Sequence, residues 1–123
     1  MIKQIALVHR KPGMSQEEFN RYWKDVHSHV YAKYSPGVRK YVQNHLIQIP
    51  GVKYEYDGIV ETWFDDLDAQ RKCMEFNRSP EGKELEKDAF KFLDMNGKIT
   101  SFLVEEHIVW YDEASKNKAM KNK

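Results

Sequence analysis

Histidine and tyrosine side chains are the groups of this chain best suited to proton transfer. The five histidines are His9, His27, His29, His45 and His107. A histidine with a pKa near neutrality exchanges a proton with a bound organic molecule, and a tyrosine can hold a developing oxyanion. His27, Tyr41 and His45 therefore form a candidate acid–base set. These residues alone leave open the alternative that Tyr41 packs in a core and His45 satisfies a backbone group.

The histidine spacing does not favour a metal site. No two histidines stand four residues apart with a glutamate between them, the spacing that zinc proteases use. On a helix, His27 and His29 lie about 200° apart and cannot share one ion. The single cysteine, Cys73, excludes an internal disulfide and a multi-cysteine zinc site. We therefore expect no metal.

The first helix must position His27. Ser15 and Glu18 form a capping box, and the Pro36-Gly37 pair ends the helix. The buried stripe of this helix consists of Phe19, Tyr22, Trp23, Val26 and Val30. In a regular α-helix His27 lies at about 80° from Phe19 and His29 at about −80°, so both flank the stripe. Helical geometry alone does not choose between them.

Two predicted strands carry the other candidates. The strand over residues 38–49 places Tyr41, Gln43 and His45 on one face, because side chains alternate along a strand. The strand over residues 56–64 places Asp57, Glu61 and Trp63 on one face. Two acids beside an aromatic ring are costly in a core unless they are paired. With Trp23, these three residues are candidates for binding a substrate.

The remaining elements complete a fold. A strand over residues 3–9, helices over 66–77 and 79–94 and a last strand over 98–111 give the order βαββαβ. This order predicts an α+β, ferredoxin-like domain over residues 1–111, a four-stranded antiparallel sheet with its helices on one face. Residues 112–123 are predicted to be a basic, frayed tail. Because the other sheet face is uncovered, we expect a homodimer and a small pocket.

Charge and hydropathy exclude several classes of partner. The 123 residues hold 20 basic and 19 acidic side chains, a net charge of +1, so no global field favours nucleic acid or an anionic membrane. No apolar run approaches the ~18 residues that span a bilayer. We do not expect the N-terminal residues to be a secretory signal, because their apolar run is short and charges come early. We expect a cytoplasmic protein with a small-molecule substrate.

Several motifs resemble the EthD family. They are the segment over residues 10–19, Tyr22-Trp23, His27, the segments over 36–45 and 57–66, Asp88 and the segment over 102–108. The resemblance covers about residues 2–110. It implies a dimeric α/β-barrel, matches the family's helical histidine to His27 rather than His29, and matches its strand residues to Tyr41 and His45. One departure is Ser28-His29, where many members have Gly-Pro after the histidine.

The resemblance also implies chemistry without a metal or organic cofactor. Related barrels isomerise lactones, cyclise or dehydrate polyketides, or carry out cofactor-free oxygenation; others have no assigned activity, and one is associated with an ether-degrading cytochrome P450 operon. Our hypothesis is a cofactor-independent enzyme acting by proton transfer on an aromatic, lactone or polyketide-like carbonyl compound. His27 would be the general acid–base, Tyr41 and His45 would orient substrate or stabilise its enolate, and Trp23 and Trp63 would form apolar walls.

Two other functions stay open from the sequence. One is a non-catalytic module that binds a hydrophobic metabolite or assists an oxidase, for which His27 does not need to titrate. The other is a cofactor-free monooxygenase.

Overall fold

The computed structural model describes residues 1–97 and 99–114. Its elements are β1 (Ile2–Val8), α1 (Gln16–Tyr22), a π-helical turn (Trp23–His27), α2 (Ser28–Lys33), β2 (Val38–His45), β3 (Gly58–Phe64), α3 (Leu67–Arg78), α4 (Lys83–Ala89) and β4 (Thr100–Val104). The predicted order of strands and helical regions is confirmed. Most of the predicted tail over residues 112–123 lies outside the described residues.

One antiparallel sheet organises the chain. Its strand order is β2-β3-β1-β4, so β1 and β3 are central. The helices cover one face, where Val8 of β1 packs with Phe19, Trp23 and Phe92 in the main core cluster. This is the predicted α+β, ferredoxin-like fold. Burial of these large apolar side chains is the main source of its stability.

Two strands are shorter than the sequence predicts. The last pair of β2 joins His45 to Gly58, so the predicted extension to residue 49 has no partner strand. Strand β4 pairs only with Lys3–Leu7 of β1 and ends at Val104, not at residue 111. Residues that follow Val104 have no paired residue on β1. An apolar, β-branched sequence therefore continues in both places after the ladder has ended.

The first helix differs from a regular α-helix at one turn. Ser15 caps it as predicted, accepting from the backbone N–H of Glu18 at 3.1 Å. The π-helical turn Trp23–His27 then inserts one extra residue. Because a π-turn spreads a full rotation over about 4.4 residues instead of 3.6, it turns His27 to within roughly 10° of Phe19. His27 is 6% exposed, whereas His29 is exposed.

Cys73 lies on the buried face of α3. It is 2% exposed, and burial raises the pKa of its thiol. This environment is that of a small apolar side chain rather than a nucleophile. Among the helices described, none combines the length and apolar character needed to cross a bilayer.

Gly58 provides a test of the contact between the first helix and the sheet. A Cβ built on Gly58 would lie 2.7 and 2.9 Å from two carbons of the Trp23 ring. Since this ring is buried and cannot move aside freely, we expect Gly58→Ala to lower the free energy of unfolding by about 2 kcal/mol. Urea denaturation measures the effect. In a Trp23→Phe background the ring carbons are absent, so the penalty should fall by at least half; an equal penalty in both backgrounds contradicts the contact.

Candidate active site

A buried carboxylate holds His27 in place. Nδ1 of His27 lies 2.8 Å from Oδ2 of Asp88, and the Tyr22 hydroxyl donates to Oδ1 of Asp88 at 2.5 Å. Asp88 is 5% exposed and comes from α4, while both of its hydrogen-bond partners come from the first helix. Since a buried carboxylate requires donors, Nδ1 of His27 carries a proton and Nε2 carries the lone pair.

Nε2 of His27 is the reactive nitrogen of this pair. Within residues 1–97 and 99–114, no group hydrogen-bonds it. Burial lowers the pKa of His27 below 6.5, although the hydrogen bond and the charge of Asp88 act in the opposite direction. Burial, followed by the contact with Asp88, raises the pKa of Tyr22 to about 12. At neutral pH this arrangement therefore holds a neutral imidazole and a protonated phenol, so His27 is prepared to act as a base.

Strand β2 contributes a second polar group to the same sheet face. The hydroxyl of Tyr41 accepts from Nε1 of Trp23 at 3.0 Å and from Nε2 of Gln43 at 3.1 Å. Nε2 of His45 lies 2.8 Å from Oε1 of Gln43, and the His45 ring stacks on Trp23 with centroids 4.6 Å apart. Burial, with a smaller contribution from Lys24, lowers the pKa of His45. A neutral His45 thus orients Gln43, which in turn contacts Tyr41.

Tyr31 lies between His27 and Tyr41. Its ring centroid is 6.3 Å from that of His27 and 3.9 Å from that of Tyr41. Tyr31 and Tyr41 line a cleft of about 280 Å³ between α2 and β2, and Asp88 lines a cleft of about 380 Å³ between α2 and α4. His27 lines neither of these two clefts. The three predicted catalytic residues therefore share one side of the sheet, but an aromatic ring separates His27 from Tyr41.

The predicted substrate-binding residues fall into separate places. Trp23 is in the core beside Tyr41. Glu61 and Trp63 lie on the opposite sheet face, where Nζ of Lys3 is 2.7 Å from Glu61 and 5.1 Å from the Trp63 ring centroid. Asp57 lies just before β3 and pairs with Arg10 at 2.9 Å. The structure does not bring Asp57, Glu61 or Trp63 together with His27.

Asp88, Tyr22 and Tyr31 were given no chemical role by the sequence reasoning. The sequence pattern could have identified Asp88. It shares one helix face with three apolar residues, Leu85, Ala89 and Phe92, so an acid stands on an apolar stripe. An acid at such a position needs a buried donor. No cluster of three or more potential metal ligands occurs among residues 1–97 and 99–114.

The His27–Asp88–Tyr22 contacts predict opposite pKa changes in two variants. Asp88→Asn removes the charge that favours the imidazolium, so the pKa of His27 should fall further. Tyr22→Phe removes a donor that shares the carboxylate, which leaves Asp88 a stronger acceptor, so the pKa of His27 should rise. Side-chain NMR titration measures both, and the pKa of His45 is the internal control. If the pKa of His27 changed in the same direction in both variants, Asp88 and Tyr22 would not control its protonation as described.

Comparisons with known proteins agree with this fold. The model of the EthD domain matches residues 11–96. An EthD family protein from Bacillus halodurans is 26% identical, with a TM-score of 0.63, and the match covers 87% of this chain and 99% of that one. No curated protein matches the chain.

Two more distant structures share the fold. A dimeric protein of unknown function and ferredoxin-like fold from Bacteroides fragilis is 18% identical, with a TM-score of 0.57 and coverage of 85% of this chain and 95% of that one. SnoaB, a cofactor-independent oxygenase from Streptomyces nogalater, is 10% identical, with a TM-score of 0.54 and coverage of 86% and 92%. Because the family model matches well over half of its residues, this chain belongs to the EthD family.

Proposed function

We propose that this protein is a cofactor-independent catalyst of proton transfer on an aromatic or polyketide-like carbonyl compound. The observation that carries the proposal is the 2.8 Å contact between Nδ1 of His27 and the buried carboxylate of Asp88. This contact fixes the tautomer and directs an unoccupied Nε2 away from Asp88. Membership of the EthD family is consistent with this chemistry.

The proposed step is abstraction of a proton next to a carbonyl group. Nε2 of His27 takes the proton, the electron pair of the broken C–H bond moves into the C–C–O system, and an enolate forms. The Tyr41 hydroxyl donates to the enolate oxygen. The imidazolium, stabilised by Asp88, then returns the proton to another carbon or to a leaving hydroxyl group, which gives isomerisation or dehydration. His45 acts as a positioning residue through Gln43.

A deuterium-exchange assay tests this role without the natural substrate. Phenylacetone carries exchangeable hydrogens between a ring and a ketone, and proton NMR in D₂O follows their loss. We expect His27→Ala to slow the protein-catalysed exchange at least ~100-fold, the usual contribution of a general base. The exchange rate of the unmodified protein should rise with pH through the pKa of His27, below 6.5, and then level off, because only the neutral imidazole accepts a proton.

His29→Ala is the matched control, since His29 is an exposed imidazole two residues further along the same helix. It should leave the exchange rate unchanged. Equal rates in the His27 and His29 variants would remove His27 from the proposed role. Tight binding of phenylacetone without exchange would instead favour the binding or accessory module. Oxygen consumption with a phenolic compound would favour the cofactor-free monooxygenase; the Streptomyces nogalater neighbour is described as a cofactor-independent oxygenase.

We also propose that the protein forms a homodimer through the sheet face that the helices leave uncovered. Phe102 on this face is 52% exposed. Nζ of Lys3 contacts Glu61 at 2.7 Å and Glu106 at 2.6 Å, and the ammonium group of Lys40 lies over Trp63 on the same face, 4.7 Å from the ring centroid. These two cations balance the two carboxylates, so a second copy can cover the four groups without burying a net charge. The Bacteroides fragilis structure of the same fold is described as dimeric.

Phe102 and Leu103 give a matched test of this dimer. They are neighbours on β4 with similar exposure, 52% and 47%, but their side chains point to opposite sheet faces. We expect Phe102→Glu to dissociate the dimer, because it places an unpaired charge in an apolar contact, whereas Leu103→Glu should leave it intact. Light scattering gives the mass in solution. A mass near 14.7 kDa for the unmodified protein at micromolar concentration contradicts the proposal.

A further inference from the structure

The proposed base is closed off from solvent in this structure. His27 is 6% exposed, and it lines neither the cleft between α2 and α4 nor the cleft between α2 and β2. A base must come within about 3 Å of the group from which it takes a proton. One of the groups around His27 therefore has to move before a substrate can reach Nε2, and the contacts of the imidazole identify which one.

Phe92 and Asp88, two neighbours of His27, are unsuited to this movement. The ring centroid of Phe92 is 4.6 Å from that of His27, but Phe92 belongs to the main core cluster and is 0% exposed. Asp88 lines the α2–α4 cleft on the Nδ1 side of the imidazole, so a compound that enters there meets the carboxylate and not Nε2. Tyr31, with its ring centroid 6.3 Å from that of His27, lines the α2–β2 cleft. The route from solvent to Nε2 therefore leads past Tyr31.

The helix that carries Tyr31 is weakly packed. None of the six residues of α2 is buried, and a cleft lies on each side of this helix. The C-terminal end of α2 is anchored, because Nδ2 of Asn77 in α3 donates to the carbonyl of Tyr34 at 2.8 Å. Elements with few buried side chains open at a lower free energy than the rest of a fold. The side of α2 that faces β2 can therefore move while the sheet stays folded.

Tyr31 ties α2 to the sheet. Its ring stacks on the ring of Tyr41 in β2, with centroids 3.9 Å apart and an interplanar angle of 18°. Its hydroxyl lies 3.2 Å from Oγ1 of Thr62 in β3 and makes a hydrogen bond with it. One aromatic stack and one neutral hydrogen bond are weak enough to break and form again reversibly. While they are formed, the Tyr31 ring stays in the space between Tyr41 and His27.

We propose that Tyr31 is the gate of the candidate active site, and that the structure shows this gate closed. When the ring leaves Tyr41 and Thr62 and α2 shifts away from β2, a substrate passes from the α2–β2 cleft to Nε2 of His27 and lies along the displaced ring. The inference rests on the proposed function, because it describes how a substrate reaches the same base. The closed gate keeps bulk water away from the imidazole until a substrate enters.

Chemical labelling of the histidines measures this gate without a substrate. Diethyl pyrocarbonate acylates unprotonated imidazole nitrogens at mildly alkaline pH, and tandem mass spectrometry of the peptides gives the rate at each histidine. We expect the exposed His29 to react at least ~10-fold faster than His27. Tyr31→Phe keeps the stack but loses the bond to Thr62, so it should speed the labelling of His27 about fivefold. Tyr31→Ala removes both contacts and should speed it at least ~20-fold.

Tyr34→Phe is the matched control. Tyr34 caps the C-terminal end of α2 and lines the α2–α4 cleft, on the side of the helix away from β2. Loss of its hydroxyl should therefore leave the labelling of His27 unchanged. Amide hydrogen exchange separates local opening from unfolding: in Tyr31→Phe the amides of α2 should exchange faster, whereas those of β1 and β3 should exchange at the rate of the unmodified protein.

The gate would be overturned by labelling of His27 as fast as that of His29 in the unmodified protein, or by equal effects of Tyr31→Phe and Tyr34→Phe. Exchange that is accelerated in β1 and β3 as much as in α2 would overturn it as well, because Tyr31 would then only stabilise the whole fold. The labelling does not depend on catalysis. If phenylacetone exchange is absent but Tyr31→Phe opens His27 to the reagent, the proposed catalysis fails and the gate stands; if His27 is labelled equally in all variants, the gate fails and the proposed catalysis stands.

Discussion

The buried carboxylate of Asp88 is the constraint on which the helical layer depends. A carboxylate that is 5% exposed is stable only if donors surround it, and both donors, Tyr22 and His27, come from the first helix. Together these contacts join α4 to the first helix and settle the orientation of the imidazole. The π-turn serves the same end, because it absorbs one extra residue while Trp23 and His27 both face the core.

Local sequence patterns were sufficient to predict the fold, but they did not predict where two of its strands end. Turn residues and alternating side chains identified every strand and their order. The length of β2 and β4 depends on where a partner strand stops, which is a property of pairing register rather than of either segment. Residues 46–49 and 105–111 have strand-like composition, yet the two ladders end before them, at the pairs His45–Gly58 and Val104–Lys3.

The candidate site was predictable in part for a similar reason. Strand alternation placed Tyr41 and His45 together, and it placed Glu61 with Trp63. It did not tell which face of each strand the helices cover, so the substrate-binding set mixed residues of opposite faces. Helical periodicity left His27 and His29 equivalent, because a regular wheel of 100° per residue contains no π-turn. The choice of His27 came from the family resemblance, and the structure gives its physical basis.

Unsatisfied hydrogen-bonding groups on the helical side of the sheet connect stability to binding. Nε2 of His27 and the proton of Tyr41 make no hydrogen bond to the described residues, whereas their neighbours Trp23, Gln43 and Tyr22 are all engaged. A neutral hydrogen bond contributes about 0.5–1.5 kcal/mol. A ligand that supplies partners for both groups gains free energy of this size from each of them. Because His27 and Tyr41 lie on either side of Tyr31, a carbonyl compound that reaches both must pack along the Tyr31 ring.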